Sequence, residues 1–209
     1  GRWNVERSSV RRIVVSGALG AVSVVLAVTP LGYLPWFGGA SLTVMHIPAI
    51  VAAVLEGPWA GVSVGLIFGV TSLVKAAVAP IGPLDPLFTN PLVSVLPRLV
   101  IGAAAWAVYA AFRGKVRPVA AALAGAVGSF VNTAGVLTML GLTAAAQISG
   151  VFGVEPGVLP AVLAGIAVSN GLVEAAAAAV FTAAIVSAWK GIEGASGKAR
   201  LAKEEGEGT

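Results

Sequence analysis

Long apolar stretches recur along this chain, and they constrain its fold more than any other feature. A membrane-crossing helix takes about 20 apolar residues, and the candidates cover residues 13–31, 42–55, 58–79, 91–112, 118–140 and 157–189. Charged residues make up only 11% of the 209 residues, against about 25% in soluble domains. Such a chain could not cover its surface in water, so the sequence predicts an all-α integral membrane protein with six transmembrane helices.

Positive charges cluster in the segments that six spans would place on one side of the membrane. They precede the first span, separate the fourth from the fifth and follow the sixth: Arg2, Arg7, Arg11, Arg12, Arg113, Lys115, Arg117, Lys190, Lys198, Arg200 and Lys203. The opposite loops carry only Asp85 and Glu155. Because cytoplasmic loops hold the excess of Lys and Arg, we expect both termini in the cytoplasm. The positive residues behind the net charge of +4 therefore lie at the membrane borders, and no nucleic-acid partner is expected.

The end of the chain differs in composition from the rest. Residues 191–209 are charged and rich in glycine, so we expect a disordered cytoplasmic tail after a membrane domain of residues 1–190. The chain has no Cys and one His, which excludes a thiol nucleophile or a Cys-ligated metal, and no cofactor is expected. It also lacks a Gly-rich phosphate loop with Lys and Ser/Thr, so active transport would need a partner that uses ATP.

Polar side chains at membrane depth are candidate functional groups because they are costly there. Arg98 lies about two turns inside the outer end of the fourth span, on one helix face with Asn90 and Ser94. Its guanidinium suits a ligand carboxylate. It could equally form a structural ion pair or cap the free carbonyls of a broken helix.

Three further ionisable groups lie in or near the spans. His46 and Pro48 interrupt the second span near its outer end, and such irregular backbone must be covered by protein or line a cavity. His46 therefore either contacts a ligand or packs between helices. Glu174 is expected about 14 Å from Arg98 in depth, which favours a bond to a neighbouring helix or a partner subunit over a direct pair. The ammonium group of Lys75 is expected either to extend to the membrane–water interface or to face the site.

Several uncharged residues complete the set. Asn132 and Asn170 lie near mid-depth, where interhelical hydrogen bonds and ligand binding explain them equally well. Trp36 follows the first span and belongs either to an interfacial aromatic belt or to a lid that stacks on a ligand. Gly17 and Ala21 form a small-xxx-small pair on the first span, which permits close contact with another helix.

Two regions of the chain resemble a known family. They read Thr-Val-Met-His-Ile-Pro at 43–48, running on to Glu-Gly-Pro-Trp-Ala-Gly at 56–61, and Asn-Pro-Leu-Val-Ser-Val-Leu-Pro-Arg at 90–98. With the small-residue third span between them, they resemble the substrate-specific (S) components of energy-coupling-factor (ECF) transporters. The similarity covers residues 12–190 and is greatest to the branch with pantothenate, hydroxymethylpyrimidine and folate carriers.

The resemblance implies a fold, a ligand and partners. S components have six helices and bind a water-soluble vitamin near the outer face, under the loops after the first and third spans. Small residues on the first helix dock onto a transmembrane coupling protein, and two ATPase subunits complete the complex. Gly17 and Ala21 would take that role here, although the family usually has Ala at both positions. If Arg98 faces the ligand, an anionic vitamin is favoured, with pantothenate expected before folate.

Other classes of membrane protein fit less well. The chain has no Gly-x-Ser-x-Gly elbow, no His-Glu-x-x-His and no paired-Asp motif, which disfavours a membrane enzyme. A secondary transporter of a small organic solute, working without ATPase subunits, is the main alternative, although the inverted repeats common in such proteins are not seen. A purely structural subunit would have no reason to keep polar side chains at membrane depth.

Overall fold

The computed structural model describes residues 2–35, 41–114 and 116–206. Within them it forms seven α-helices: α1 (Arg2–Val28), α2 (Ile47–Glu56), α3 (Pro58–Val78), α4 (Pro91–Ser94), α5 (Leu96–Phe112), α6 (Arg117–Phe152) and α7 (Leu159–Gly206). Among the described residues, five segments are long and apolar enough to cross a membrane: Ser9–Val28, Pro58–Val78, Pro91–Phe112, Arg117–Phe152 and Leu159–Ala195. The predicted helical, multi-pass membrane protein is therefore confirmed.

The second predicted span is shorter than the other five. Helix α2 has 10 residues, which gives it a length of about 15 Å, half of the ~30 Å hydrocarbon core. The helix is nonetheless buried along its length from Ile47 to Val54. Surrounding helices thus cover it, as expected for a short segment with irregular backbone next to it.

A short antiparallel hairpin precedes α2, and the all-helical prediction did not include it. Strands β1 (Tyr33–Pro35) and β2 (Ser41–Thr43) pair with Tyr33 opposite Thr43. A 3₁₀ turn at Pro30–Gly32 leads from α1 into β1. A side-chain carbon on Gly32 would lie 2.1 Å from the Leu26 carbonyl oxygen, so only glycine fits where the chain turns.

Glycines on α3 bring it close to the helix pair α4–α5. A side-chain carbon on Gly65 would lie only 2.2 Å from the Arg98 carbonyl oxygen. On Gly61 it would lie 2.8 Å from Gly102 Cα, and on Gly69 it would lie 2.8 Å from the Ser94 carbonyl oxygen. Both sets of residues repeat every four positions, which places each set on one helix face. This small-xxx-small contact fixes the backbone that carries Ser94 and Arg98.

Two apolar clusters lie at different depths of the bundle. One joins the end of α2 to α5, the start of α6 and α7: Ile50, Ala53, Val54, Ile101, Ala105, Tyr109, Ala120, Ala121, Ala124 and Val186. The other joins α4, the end of α6 and the start of α7: Val93, Val136, Leu140, Ala144, Ile148 and Leu159. Arg98 lies in the chain between Val93 and Ile101. Asn132 lies between Ala124 and Val136. Each of these polar residues therefore stands between a member of one apolar cluster and a member of the other.

The last two helices run beyond the predicted spans. Helix α6 has 36 residues, with non-helical dihedral angles at Ala144, and Gly153 ends it in the left-handed conformation. Helix α7 continues to Gly206, through the segment where we expected disorder. Lys190 and Glu193 form an ion pair at 3.0 Å in this extension. The boundary between a membrane domain and a tail at residue 190 stays a prediction.

Candidate functional site

Arg98 occupies a break in the fourth span, where α4 ends and α5 begins. In a continuous helix the N–H of residue 97 would bond to the carbonyl of residue 93, but Pro97 has no N–H to donate. Arg98 Nη1 donates to that carbonyl oxygen of Val93 instead, at 2.6 Å. This is the contact of a cap on a broken helix, one of the roles that the sequence left open; the ligand-binding role stays a prediction.

Aromatic rings flank the Arg98 side chain, which is buried in the bundle. The guanidinium carbon lies 5.2 Å from the ring centre of Phe68 and 5.5 Å from that of Phe88, within the range of cation–π attraction. Phe68 belongs to α3 and Phe88 to the 3₁₀ turn Asp85–Thr89 in the loop after it. Arg98 thereby connects the loop after α3 with the break between α4 and α5.

Asn90 precedes α4, Ser94 ends it and Arg98 lies on α5, so the three do not share one continuous helix. Asn90 and Ser94 both bond to nearby backbone. Asn90 Oδ1 accepts from Leu92 N at 3.0 Å and caps the start of α4. Ser94 is fully buried, and its hydroxyl donates to the Asn90 carbonyl oxygen at 3.1 Å. These contacts shape the helix start, and contact of either side chain with a ligand stays a prediction.

His46 lies immediately before α2 and is fully buried. Neither ring nitrogen has a hydrogen-bond partner among the residues that the structure describes. Buried polar groups are nearly always hydrogen-bonded in proteins, and contact of the imidazole with a ligand stays a prediction.

Glu174 joins three parts of the chain through its buried carboxylate. Oε1 accepts from the backbone N of Thr43 at 2.8 Å and from its hydroxyl at 2.7 Å. Oε2 accepts from the hydroxyl of Thr133 on α6 at 2.9 Å. The expected bond to a neighbouring helix is present. Through Thr43 the carboxylate reaches the base of the hairpin, and the expected difference in depth from Arg98 stays a prediction.

Asn132 lies on α6 at the level of His46. A side-chain carbon on Gly128 would lie 2.8 Å from Ile50 on α2, and the two helices run in opposite directions. Asn132 and His46 are each one turn further toward the hairpin than this contact. Asn132 is buried, and its Oδ1 has no hydrogen-bond partner in the described part of the chain.

Asn170 and Trp36 are the remaining two predicted site residues. Asn170 is half-buried on α7, one turn before Glu174. Trp36 lies outside the residues that the structure describes, so the choice between an aromatic belt and a lid stays open for it.

Six polar side chains are called the polar layer below, and Glu174 bonds to two of them, Thr43 and Thr133. The six are Thr43, His46, Arg98, Asn132, Thr133 and Glu174. Sequence reasoning named three of the six as site residues, interpreted Glu174 as structural, and missed Thr43 and Thr133 as members. Hydroxyl side chains are common in membrane helices, so only the position of Thr133 beside Asn132 could have indicated it. The two threonines belong to the polar layer because each donates a hydrogen bond to Glu174.

A cavity of about 960 Å³ lies beside the polar layer, between α1, α3 and the loops that follow them. Valines of α1 and α3 form its apolar walls, while Thr43, Lys75 and Asp85 contribute polar atoms. Asp85 also shapes the loop after α3, because its Oδ2 accepts from the backbone N of Ile81 at 2.7 Å. Thr43 thus faces the cavity and belongs to the polar layer at once.

The first helix keeps one face free of contacts within the described chain. Gly17 and Ala21 are exposed, and a side-chain carbon on Gly17 would meet no atom within 4 Å. Ser23 and Ala27 on the opposite face are buried in the bundle. At the other end of the helix, Arg11 pairs with Glu56 and Glu193 at 2.8 and 2.6 Å.

Comparison with known proteins identifies one family. A family model described as "ECF transporter, substrate-specific component" matches residues 11–186, which include the polar layer and most of each transmembrane segment. A search of curated proteins gave no match to the chain.

Proposed function

The chain belongs to the substrate-specific components of ECF transporters, and from this premise we propose that it is the vitamin-binding subunit of an ATP-driven importer. Proteins of this family are transporter subunits and not enzymes. In this proposal the chain binds a water-soluble vitamin with high affinity at the outer face of a bacterial plasma membrane and carries it across. Pantothenate is the first candidate and folate the second.

The single observation that carries the proposal is the environment of His46. A fully buried imidazole immediately before α2 has no hydrogen bond from the described residues. An unsatisfied polar group in a protein interior costs about 1–3 kcal/mol. A polar ligand that bonds to His46 and Asn132 would offset that cost, which gives the two residues a reason to be present at this depth.

The charges of the polar layer support an anionic ligand with hydrogen-bonding groups. The Glu174 carboxylate already accepts hydrogen bonds from Thr43 and Thr133. These bonds within the fold partly satisfy its negative charge. The Arg98 guanidinium provides a positive charge whose shape suits a carboxylate. Pantothenate has one carboxylate together with hydroxyl and amide groups, and its size falls within the range that ligand cavities accommodate.

The proposed assembly has the chain crossing the membrane six times with both termini in the cytoplasm. Helix α2 then completes its crossing with the help of the adjoining hairpin. The exposed face of α1 with Gly17 and Ala21 docks onto the transmembrane coupling protein, because small residues permit close helix contact. Two ATPase subunits supply the energy that the chain itself has no motif to provide.

Reconstituted uptake tests this assignment against the secondary-transporter alternative. We expect accumulation of labelled pantothenate in vesicles only when the chain, the coupling protein and both ATPase subunits are present with ATP. A matched preparation with ATPase subunits inactive in hydrolysis should show binding without accumulation. Accumulation by the chain alone, driven by an ion gradient, would assign it to the secondary transporters.

A further inference from the structure

One arginine near the start of α1 bonds to two other helices. Arg11 Nη2 lies 2.8 Å from Oε1 of Glu56 and 2.6 Å from Oε1 of Glu193, and Arg11 Nε donates to the same Glu56 oxygen at 2.8 Å. Glu56 is the last residue of α2, and Glu193 lies on α7. Arg11 therefore joins α1, α2 and α7 at the end of the bundle that the proposed function places in the cytoplasm. These three residues are called the Arg11 network below.

The Glu56 carboxylate distinguishes this network from an ion pair on an open surface. Ion pairs between fully solvated side chains contribute little to stability, but the Glu56 side chain is only 8% exposed. A carboxylate that has lost most of its water depends on a cationic partner. The negative end of the α2 dipole lies at the same place and adds to the attraction for the guanidinium.

Glu193 is oriented toward Arg11 by its own helix. Trp189 Nε1 donates to Glu193 Oε1 at 3.0 Å, and Lys190 Nζ donates to Oε2 at 3.0 Å. Both donors come from the preceding turn of α7, so each carboxylate oxygen has a fixed partner before Arg11 is counted. The contact between α1 and α7 is therefore made to a side chain that is already held in place.

This end of α1 has little apolar packing to hold it. The side chains of residues 9–14 are all exposed, and Val15 is the first buried one among the described side chains of the helix. The exposed Gly17 and Ala21 of the proposed docking face follow about 9 and 15 Å beyond Arg11 along the helix. The Arg11 network thus fixes the helix segment that leads into the docking face.

The polar layer lies on elements other than α1. Its residues belong to β2, to the position before α2, and to α5, α6 and α7. A force that a partner exerts on α1 must therefore pass through contacts between helices to reach the ligand site. Arg11 provides two such contacts, one to α2, which begins directly after His46, and one to α7, which carries Glu174.

We propose that Arg11 is a positioning residue that couples the docking face of α1 to the helices of the ligand site by binding Glu56 and Glu193. The proposal rests on the proposed function for the docking partner and for the ligand that is moved. The joining of the three helices by Arg11 does not depend on that function. Arg11 contacts neither the vitamin nor ATP in this account.

The first test measures the helix ends in the chain alone, without ligand or partner. The chain has no Cys, so spin labels can be attached to single cysteines introduced at the exposed Val10 on α1 and Ile192 on α7. Double electron–electron resonance in lipid nanodiscs should give a narrow distribution of label distances when Arg11 is present. Arg11→Gln should broaden the distribution, and so should Glu193→Gln, because each removes the contact between α1 and α7.

Arg12→Gln is the matched control for this measurement. Arg12 is exposed, and none of the ion pairs among the described residues includes it, so the variant removes the same charge without breaking the network and should keep the narrow distribution. Equal broadening in Arg11→Gln and Arg12→Gln would overturn the proposal, and so would an unchanged distribution in folded Arg11→Gln. If Arg11→Gln does not fold, Glu193→Gln decides the same question, because Glu56 keeps its cation.

The second test measures coupling in the full complex. The chain is reconstituted with the coupling protein and both ATPase subunits, and uptake of radiolabelled pantothenate and ATP hydrolysis are measured on the same vesicles. Arg11→Gln should lower the pantothenate transported per ATP hydrolysed by about two- to thirtyfold, the range for residues that carry coupling between sites. Pantothenate binding by the isolated variant and its capture of the coupling protein should stay normal, which a merely structural role does not predict. Arg11→Lys keeps the charge and should recover part of the ratio.

The outcomes separate this proposal from the proposed function. An unchanged ratio of transport to hydrolysis in Arg11→Gln would overturn the coupling role, and so would loss of pantothenate binding by the isolated variant. If the unmodified chain transports no pantothenate, the proposed ligand is wrong. The spin-label measurement needs no ligand, and it then still decides whether Arg11 joins the helix ends.

Discussion

Arg98 Nη1 donates to the carbonyl oxygen of Val93, the acceptor that Pro97 leaves without its helical partner, at a distance of 2.6 Å. The proline and the arginine are therefore complementary: the first breaks the helix, and the second satisfies the oxygen that the break exposes. The glycines of α3 also fix this helix break in place. Because they have no side chains, the backbone of Arg98 can lie close to α3. One cationic side chain is thus fixed at a defined place in an apolar bundle.

The pairing of Pro97 with Arg98 can be measured as a coupling between two substitutions. Arg98→Ala should lower the free energy of unfolding by about 1–3 kcal/mol, because the Val93 carbonyl is left unsatisfied. Pro97→Ala restores an N–H at position 97, so the double variant should recover about 1 kcal/mol of that loss. Thermal unfolding in detergent gives the four values, and strict additivity would contradict the cap.

The same double variant isolates the charge of Arg98 in ligand binding. In Pro97→Ala/Arg98→Ala the helix bond is restored and the guanidinium is absent. We expect pantothenate affinity to fall by about 2–5 kcal/mol, which is a loss of at least about 30-fold. Pro97→Ala alone is the control and should bind normally. If the double variant binds as tightly as this control, Arg98 is only a structural cap.

Gly65 tests the close contact that positions Arg98. Gly65→Ala places a carbon 2.2 Å from the Arg98 carbonyl oxygen, so α3 and α5 must separate. We expect a loss of about 1–3 kcal/mol in stability together with weaker pantothenate binding. Gly17→Ala is the matched control, since its new carbon meets nothing within 4 Å; equal effects of both would contradict the packing argument.

His46 should affect stability and binding in opposite directions. His46→Leu replaces a buried ring without hydrogen bonds in the described chain by an apolar side chain, which should leave the unfolding temperature of the ligand-free protein unchanged or higher. If the imidazole contacts the ligand, pantothenate affinity should fall by about tenfold or more. Reduced stability with unchanged affinity would identify His46 as a packing residue.

The exposed face of α1 should matter for assembly and not for binding. Gly17→Trp adds a large side chain at a position with open space around it, so pantothenate binding by the isolated chain should remain within about twofold of normal. Capture of the coupling protein and ATP-dependent uptake should be lost, because close helix contact needs small residues. Val22→Trp, on an adjoining exposed position, is the control for a general effect of bulk. Normal uptake in Gly17→Trp would place the docking surface elsewhere.

Much of the fold could be predicted because the bilayer imposes it. Apolar length and the prolines at positions 58, 91 and 118 mark where helices begin, and the structure has α3 and α4 starting at Pro58 and Pro91. The hairpin at Tyr33–Thr43 was missed because strands of three residues carry no periodic signal. The extent of α6 beyond residue 140 was missed because it continues through polar residues near the outer boundary.

The candidate site was only partly accessible from the sequence. Arg98, His46 and Asn132 stand out because each is costly at membrane depth. The partners of Glu174 could not be predicted, because rise per residue gives a position along one helix and not the neighbours that lie beside it. Its partners Thr43 and Thr133 are 131 and 41 residues away, and no local pattern connects residues at such separations.

Binding of a vitamin by the isolated chain is the central claim, and calorimetry on the detergent-purified protein tests it most directly. Pantothenate, folate, riboflavin, thiamine, biotin and hydroxymethylpyrimidine would each be titrated into the same monodisperse sample. The account predicts tight one-to-one binding of one member, with pantothenate first, and loss of that binding in Pro97→Ala/Arg98→Ala. A folded sample that binds none of the six would contradict it.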